Sequence, residues 1–332
     1  MICFIFLLLS LETKDHPVFK NNIMLDMTLL KSYDEIDCHI NKIRWLPGKG
    51  IVIFSFRDKV IRLYEPSSSS LTTLASLGPG PREIQSLLVS GFVFDDHIIF
   101  KDMSNKMKAF RPGEVHRVIN TSFWAVDDCV KVSGHAICNN TSFSPAPLNI
   151  PETSLLIFEI EEDGSWTGLS GFLEDDVVGD PRDDIKFAMY TSILAAAKSD
   201  RFYRFPLFLH PNIQLLDING KVHKEIPIPH PAAQRLPTSP KVRRDYRLEH
   251  RSRPLPITDI VSDKAGYLYS LVSNAPGKKD LSCRIIAKQN TLGEIVQSYR
   301  IETPIKKLVV SPDGSALYGV DDDNNLYALI AK

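Results

Sequence analysis

The sequence predicts an all-β protein: a six-bladed β-propeller of four-stranded antiparallel blades, closed by pairing of its N- and C-terminal strands. Three observations carry that expectation. The chain is built from short runs rich in β-branched and aromatic residues, separated by turn residues. A strand–turn–strand unit recurs along it, and the last unit runs out one strand short. With 332 residues, 43% of them hydrophobic, the chain is long enough to bury a large core.

At the N-terminus, ICFIFLLLSL (residues 2–11) has the length of a secretory apolar region and is too short to span a bilayer. No Lys or Arg precedes it and no small-residue cleavage site follows, so two readings stay open: a signal-peptide remnant, or an ordinary buried strand. Residues 1–26 are set apart on this ground, and the propeller is expected over 27–332.

The strand runs follow in order: KGIVIFSF (49–56), KVIRLYE (59–65), DHIIFKD (96–102), SLLIFEI (154–160), NIQLLDI (212–218) and NLYALIA (325–331). DIKFAMYTSILAAAK (184–198) alone has helical periodicity, although its second half also fits a strand. Units begin near Ile43, Leu87, Cys129, Ile193, Asp259 and Lys307, about 40 to 65 residues apart, which brackets common blade lengths. Asn-Gly and Asp-Gly turns at 219–220 and 163–164 supply the second hairpins. The last unit ends at Lys332 after three strands, and MTLLKSY (27–33) is the expected fourth, which would protect open strand edges.

GPGPREI (78–84), followed by FVFDDHIIFKDMSNKMKAFRPGE, resembles the six-bladed propeller family related to the NHL-repeat proteins. The matching positions are Gly78, Gly80, Pro81, Glu83, Asp102, Asn105 and Phe110, with departures at Arg82 and Ile84. The resemblance implies an inter-blade corner, and no fixed activity. A phosphate loop would need a helix after its glycines, whereas IQSLLVSGFVF continues as strand. Glycine and proline here turn the chain, and direct ligand contact through Arg82 or Glu83 is the alternative.

Charge excludes one class of partner. The chain has 39 Lys+Arg against 40 Asp+Glu, so no global field favours nucleic acid or an anionic membrane. No zinc, P-loop, dinucleotide or nucleophile-elbow motif occurs, and no cofactor is indicated. DDDNN (321–325) lacks the spacing of a calcium loop and reads as a solvated turn; the sequons at Asn120 and Asn140 matter only in a eukaryotic secretory setting.

Three long insertions, 139–153, 173–186 and 229–256, fall on one face of the expected ring. The second is acidic, while the third carries Arg243, Arg244, Tyr246 and Arg247, a candidate surface for an anionic glycan, peptide or protein partner; the alternative is that the two oppositely charged segments pair with each other or stay solvated. A binding or interaction propeller outside the cytoplasm is therefore expected. The alternative is a lactonase-like hydrolase or sugar dehydrogenase with a metal or cofactor in the central channel. If Ser133-Gly134 is a two-residue hairpin turn, Cys129 stands opposite Cys138 in a non-hydrogen-bonded pair, close enough to bridge, and two buried free thiols are the alternative.

Overall fold

A computed structural model describes residues 18, 22–78, 80, 83–85, 88–102, 107–114, 117–119, 126–140, 155–160, 166–172, 192–198, 200–206, 212–230, 257–273 and 283–331. The chain opens with strand β1 (Ile23–Lys31) and a one-turn helix, α1 (Tyr33–Ile36). Four antiparallel sheets of four strands follow, each in chain order. The first holds β2 (Lys42–Leu46), β3 (Gly50–Ser55), β4 (Val60–Glu65) and β5 (Ser70–Ala75). The second holds β6 (Leu88–Phe94), β7 (His97–Asp102), β8 (Met107–Phe110) and β9 (Arg117–Ile119). The third holds β10 (Val126–Val132), β11 (His135–Asn140), β12 (Leu155–Ile160) and β13 (Trp166–Phe172). The fourth holds β14 (Ser192–Ala196), β15 (Arg201–Pro206), β16 (Asn212–Asp217) and β17 (Val222–Pro227).

The remaining strands are β18 (Ile257–Ser262), β19 (Leu268–Ser273), β20 (Cys283–Gln289), β21 (Ile295–Val310), β22 (Leu317–Asp321) and β23 (Leu326–Ala331). They join β1 in one seven-stranded sheet, ordered β1-β23-β22-β21-β20-β19-β18. Its organisation depends on β21, which has 16 residues. The first part of β21 pairs with β20 through Arg300↔Ile285, and the last part pairs with β22 from Ile305↔Asp321 onward.

β1 completes the sheet from the other end of the chain. It runs antiparallel to β23, with Leu25 opposite Ala331 and Leu29 opposite Tyr327, and its first residues also pair in parallel with Tyr299 and Arg300. The terminal pairing expected from the sequence is present, but the strand occupies 23–31 and not 27–33. Ser32 ends it by capping α1: its backbone N–H donates to the Glu35 carboxylate at 2.9 Å, and its hydroxyl accepts from the Glu35 N–H. The boundary expected at residue 27 thus falls inside β1, and Val18 is already buried in the core. The second half of the helical-period stretch is strand β14; residues 184–191 lie outside the described residues.

Side chains from facing sheets form the core layers. Phe92, Ile99 and Met107 pack against Ala136, Phe158 and Trp166, with Trp166 tilted 5.6 Å from Phe158. Phe54 and Phe100 fill the layer between the first two sheets. Burial on both faces explains why β3, GIVIFS, is buried at every position where a one-sided sheet would alternate. The first strands meet in a closed order: β2 against β6, then β10, β14, β18 and the end of β21, which returns to β2. Gly91 permits one of these approaches, since a Cβ there would meet the Phe54 ring.

Candidate functional site

Residues of this inner ring of strands bring together a largely buried charged triad. In four of the six, the register shifts near the start: Leu88/Ser90, Val126/Cys129, Ile257/Asp259 and Ile305/Lys307. A bulge re-aims the side chains it contains. In β10 it leaves Asp128 directed at β2, past the intervening β6. Lys42 Nζ lies 3.1 Å from one Asp128 oxygen, and Arg44 Nη2 donates to the other at 2.5 Å. Arg44 Nη1 also donates to the Ile43 carbonyl at 2.9 Å, which fixes the guanidinium plane.

All three side chains are largely buried: 7% exposed for Asp128, 11% for Lys42 and 17% for Arg44. Burial would raise the Asp128 carboxyl; the nearby Arg44 and then Lys42 outweigh it and hold the group below the usual carboxylate range. Asp128 is therefore ionised at neutral pH, and the triad ties the first sheet to the third across the inner ring.

Other polar groups of the ring are also engaged. Asp259 accepts the Leu308 N–H at 3.1 Å, joining β18 to β21. Lys306 donates to Asn324 Oδ1 at 2.8 Å, and Asn324 Oδ1 also accepts from the Ile40 N–H at 2.9 Å. Between the third and fourth sheets, Asn139 donates to the Ser192 carbonyl, and within the fourth sheet Arg204 donates to Ser192 Oγ at 2.9 Å and to Gln214 at 3.3 Å. Of these bonds, Asp259 with Leu308 joins two inner strands, and Asn139 with Ser192 joins two separate sheets.

Backbone bonds tie together the described residues of the corner at 77–87. Gly78 N–H donates to the Ile84 carbonyl, Ile84 N–H donates to Ser76, and Leu77 bridges Ile84 in parallel. The Glu83 carboxylate accepts the Gly80 N–H at 2.6 Å, and its carbonyl accepts from Lys108 Nζ at 2.9 Å. Glu83 is thus turned into its loop. Arg82 lies outside the described residues, as do Arg243, Arg244, Tyr246 and Arg247 and the 173–186 and 229–256 insertions apart from Pro229 and His230.

The 321–325 turn connects β22 to β23 as expected, but it is not simply solvated. Asp321 and Asn324 are buried, and Asp321 accepts from Asn325 N at 2.8 Å, Asn325 Nδ2 at 2.9 Å and the Tyr327 hydroxyl at 3.0 Å. Among the described residues, no group of three or more His, Cys, Asp and Glu side chains is placed to hold a metal ion. None of the helices among them is long and apolar enough to cross a membrane. Cys129 and Cys138 stand opposite in the register and are bonded as a disulfide, with Cα atoms 4.1 Å apart.

Sequence reasoning missed Lys42, Arg44 and Asp128. The only signal was a K-x-R at the start of β2 and an Asp doublet before Cys129. Separated by more than eighty positions, the two could be connected only by topology.

No family model matches the chain, and no curated protein matches it in sequence. Solved structures do match in shape. The chain is similar to a putative gluconolactonase, with a TM-score of 0.56 at 10% identity over 96% of this chain and 97% of that one. It is similar to the WD40 β-propeller domain of Doa1, with a TM-score of 0.52 at 12% identity over 93% and 98% of the two chains. A luciferin-regenerating enzyme gives 0.51 at 12% identity over 87% and 90%. Identities this low carry fold and no activity. Together with the four-stranded sheets and their cyclic inner strands, these likenesses make the chain a β-propeller.

Proposed function

We propose that this chain is a six-bladed ring of the NHL-related type that acts as a binding or interaction module. Six blades follow if β21 is divided at its bend: its first part closes β18–β20, and its second part opens a blade finished by β22, β23 and β1. The observation that carries the binding reading is the commitment of Asp128 to Lys42 and Arg44. A carboxylate held by two cations is neither a free base nor a metal ligand, so the inner ring serves as a brace. Recognition is assigned to the loops, with Arg243, Arg244, Tyr246 and Arg247 as the candidate rim for an acidic glycan or a partner's carboxylates, and Arg82 and Glu83 as further candidates at a blade corner. The Cys129–Cys138 bridge supports an extracytoplasmic setting.

Replacement of Arg243, Arg244 and Arg247 by Ser tests the reading on a glycan and protein array. Loss of a hit with an unchanged melting temperature is the expected result; a hit of unaltered affinity would remove these residues from the site. Turnover of lactones or sugars by the purified protein, with or without calcium, would replace the binding reading by the enzymatic one.

A further inference from the structure

Four cationic side chains are buried among the described residues: Lys42, Lys101, Lys108 and Arg204. Three have partners. Lys42 lies on Asp128, Lys108 on the Glu83 carbonyl and Asp102, and Arg204 on Ser192 and Gln214. Lys101, only 3% exposed, makes no hydrogen bond or ion pair with the described residues. Its sequence neighbour Asp102 belongs to the opposite face of β7, where it accepts from Gln85 N and faces Lys108.

A second unused polar group stands beside it. Ser90 of β6 is directly opposite Lys101 in the antiparallel register, and directly opposed residues share a face with Cβ atoms about 4.5–5.5 Å apart. Ser90 is 1% exposed and its Oγ has no hydrogen-bond partner. Met107 pairs with Lys101 from the other side, and the same face continues into the apolar layer of Phe92 and Ile99. A charged side chain this deeply buried with no counter-charge among the described residues, and a buried hydroxyl with no hydrogen-bond partner among them, are both costly. Their side-by-side placement offers one positive charge and one neutral donor against an apolar wall.

We propose that Lys101 and Ser90 form a buried binding site for a small monocarboxylate of formate or acetate size. One carboxylate oxygen would accept from the ammonium and the other from the hydroxyl, while Met107 and Phe92 suit a short carbon tail. A dianion would leave one charge uncompensated, and a neutral ligand would leave the ammonium unpaired. Titration supplies a signature. Burial pushes Lys101 down to about 8, and a bound anion would draw it back up, so only the protonated form binds. Affinity should fall as pH rises above that value.

The test is calorimetric titration of the full chain with sodium acetate at constant ionic strength. The intact protein should bind at pH 7 and about tenfold more weakly at pH 9, because a group titrating near 8 is then about one-tenth protonated. Lys101→Met should abolish binding, and Ser90→Ala should weaken it several-fold. Without acetate, Lys101→Met should melt at or above the parent temperature, since an unpaired buried charge has been removed. Acetate should raise the melting temperature of the parent but not of that variant. Absence of acetate binding, binding that persists in Lys101→Met, or affinity indifferent to pH would each overturn the site. If Lys101→Met does not fold, Ser90→Ala gives the same reading, and unchanged affinity there is equally fatal. Arg243, Arg244 and Arg247 are not involved, so the outcome is independent of the loop-binding proposal.

Discussion

At the scale of single residues, Asp128 has the most consequential surroundings in the described protein. Its carboxylate is shared by Lys42 and Arg44, and all three sit where water screens them poorly. Asp128→Asn keeps the shape and removes the charge, leaving two buried cations with half their partner. We expect a loss of about 3 kcal/mol in urea unfolding, the range found when one member of a buried pair is removed. Replacing Lys42 and Arg44 by Met in the same variant should recover part of it. The pH dependence has a definite sign. A carboxyl held low in the folded state stabilises above its unfolded value, near about 4, and the contribution is lost as pH falls through the folded value. Acid unfolding of the parent should therefore be steeper below about pH 4 than that of Asp128→Asn. The three residue types gave no hint of their meeting: each is ordinary on a strand, and the bulge that aims Asp128 leaves no mark in composition.

At the scale of elements, one hairpin turn recurs through the later sheets. Asp217, Asp263, Asn290, Ser311 and Asp321 each begin a turn whose fourth residue returns its N–H to the first carbonyl. That residue is left-handed: Gly220, Gly266, Gly293, Gly314 and Asn324, with φ between 65° and 86°. In four of the turns, all but that at Ser311, the leading side chain accepts the N–H four residues on, as Asp263 does from Tyr267 at 3.0 Å. This chemistry is legible in sequence, which is why the strand runs and their turns could be placed; DDDNN belongs to the same class, its buried Asp321 being the turn's own acceptor. Two glycines separate strain from crowding. At Gly134, φ is +85° and a Cβ would meet nothing within 4 Å, so Gly134→Ala should cost about 1 kcal/mol from backbone strain alone. At Gly314, φ is +72° and a Cβ would come within 2.6 Å of the Asp263 oxygen that accepts from the Tyr269 hydroxyl. Gly314→Ala should cost about 2–3 kcal/mol by the same urea measurement, strain plus the lost buried bond. Equal losses at the two positions would contradict this coupling between the turns before β19 and β22.

At the scale of the whole molecule, closure rests on strands from opposite ends of the chain. The alternating apolar residues at both ends and the missing strand of the last unit made the pairing of β1 with β23 readable; the start of β1 was not, because Ser32 and Glu35 form a local cap that takes Tyr33 out of the strand. Nor could sequence show that β1 would touch β21, since a contact of Ile23 with Tyr299 depends on how sharply β21 bends. β1 therefore does two things. It covers the edge of β23, and it buries Leu25 in the cluster of Leu271, Ile286, Ile305 and Leu329, so that the last sheet is sealed from outside. Removal of residues 1–31 would bare that edge and delete Leu25, together with the buried Val18 that packs near Ile226 and Ile228. Each buried aliphatic side chain is worth about 1.5–3 kcal/mol, so the truncated chain should lose about 4 kcal/mol or more before the ladder bonds are counted. A loss of this size lowers the melting temperature by roughly 6 °C in a chain of 332 residues. The truncated protein should also self-associate in light scattering, through the open β23 edge. A peptide of residues 22–32 added in excess should restore the monomer and the part of the melting temperature that β1 and Leu25 contribute, but not the part that Val18 contributes. A truncated chain that stays monomeric and melts within about two degrees of the parent would show that β1 decorates the ring without closing it.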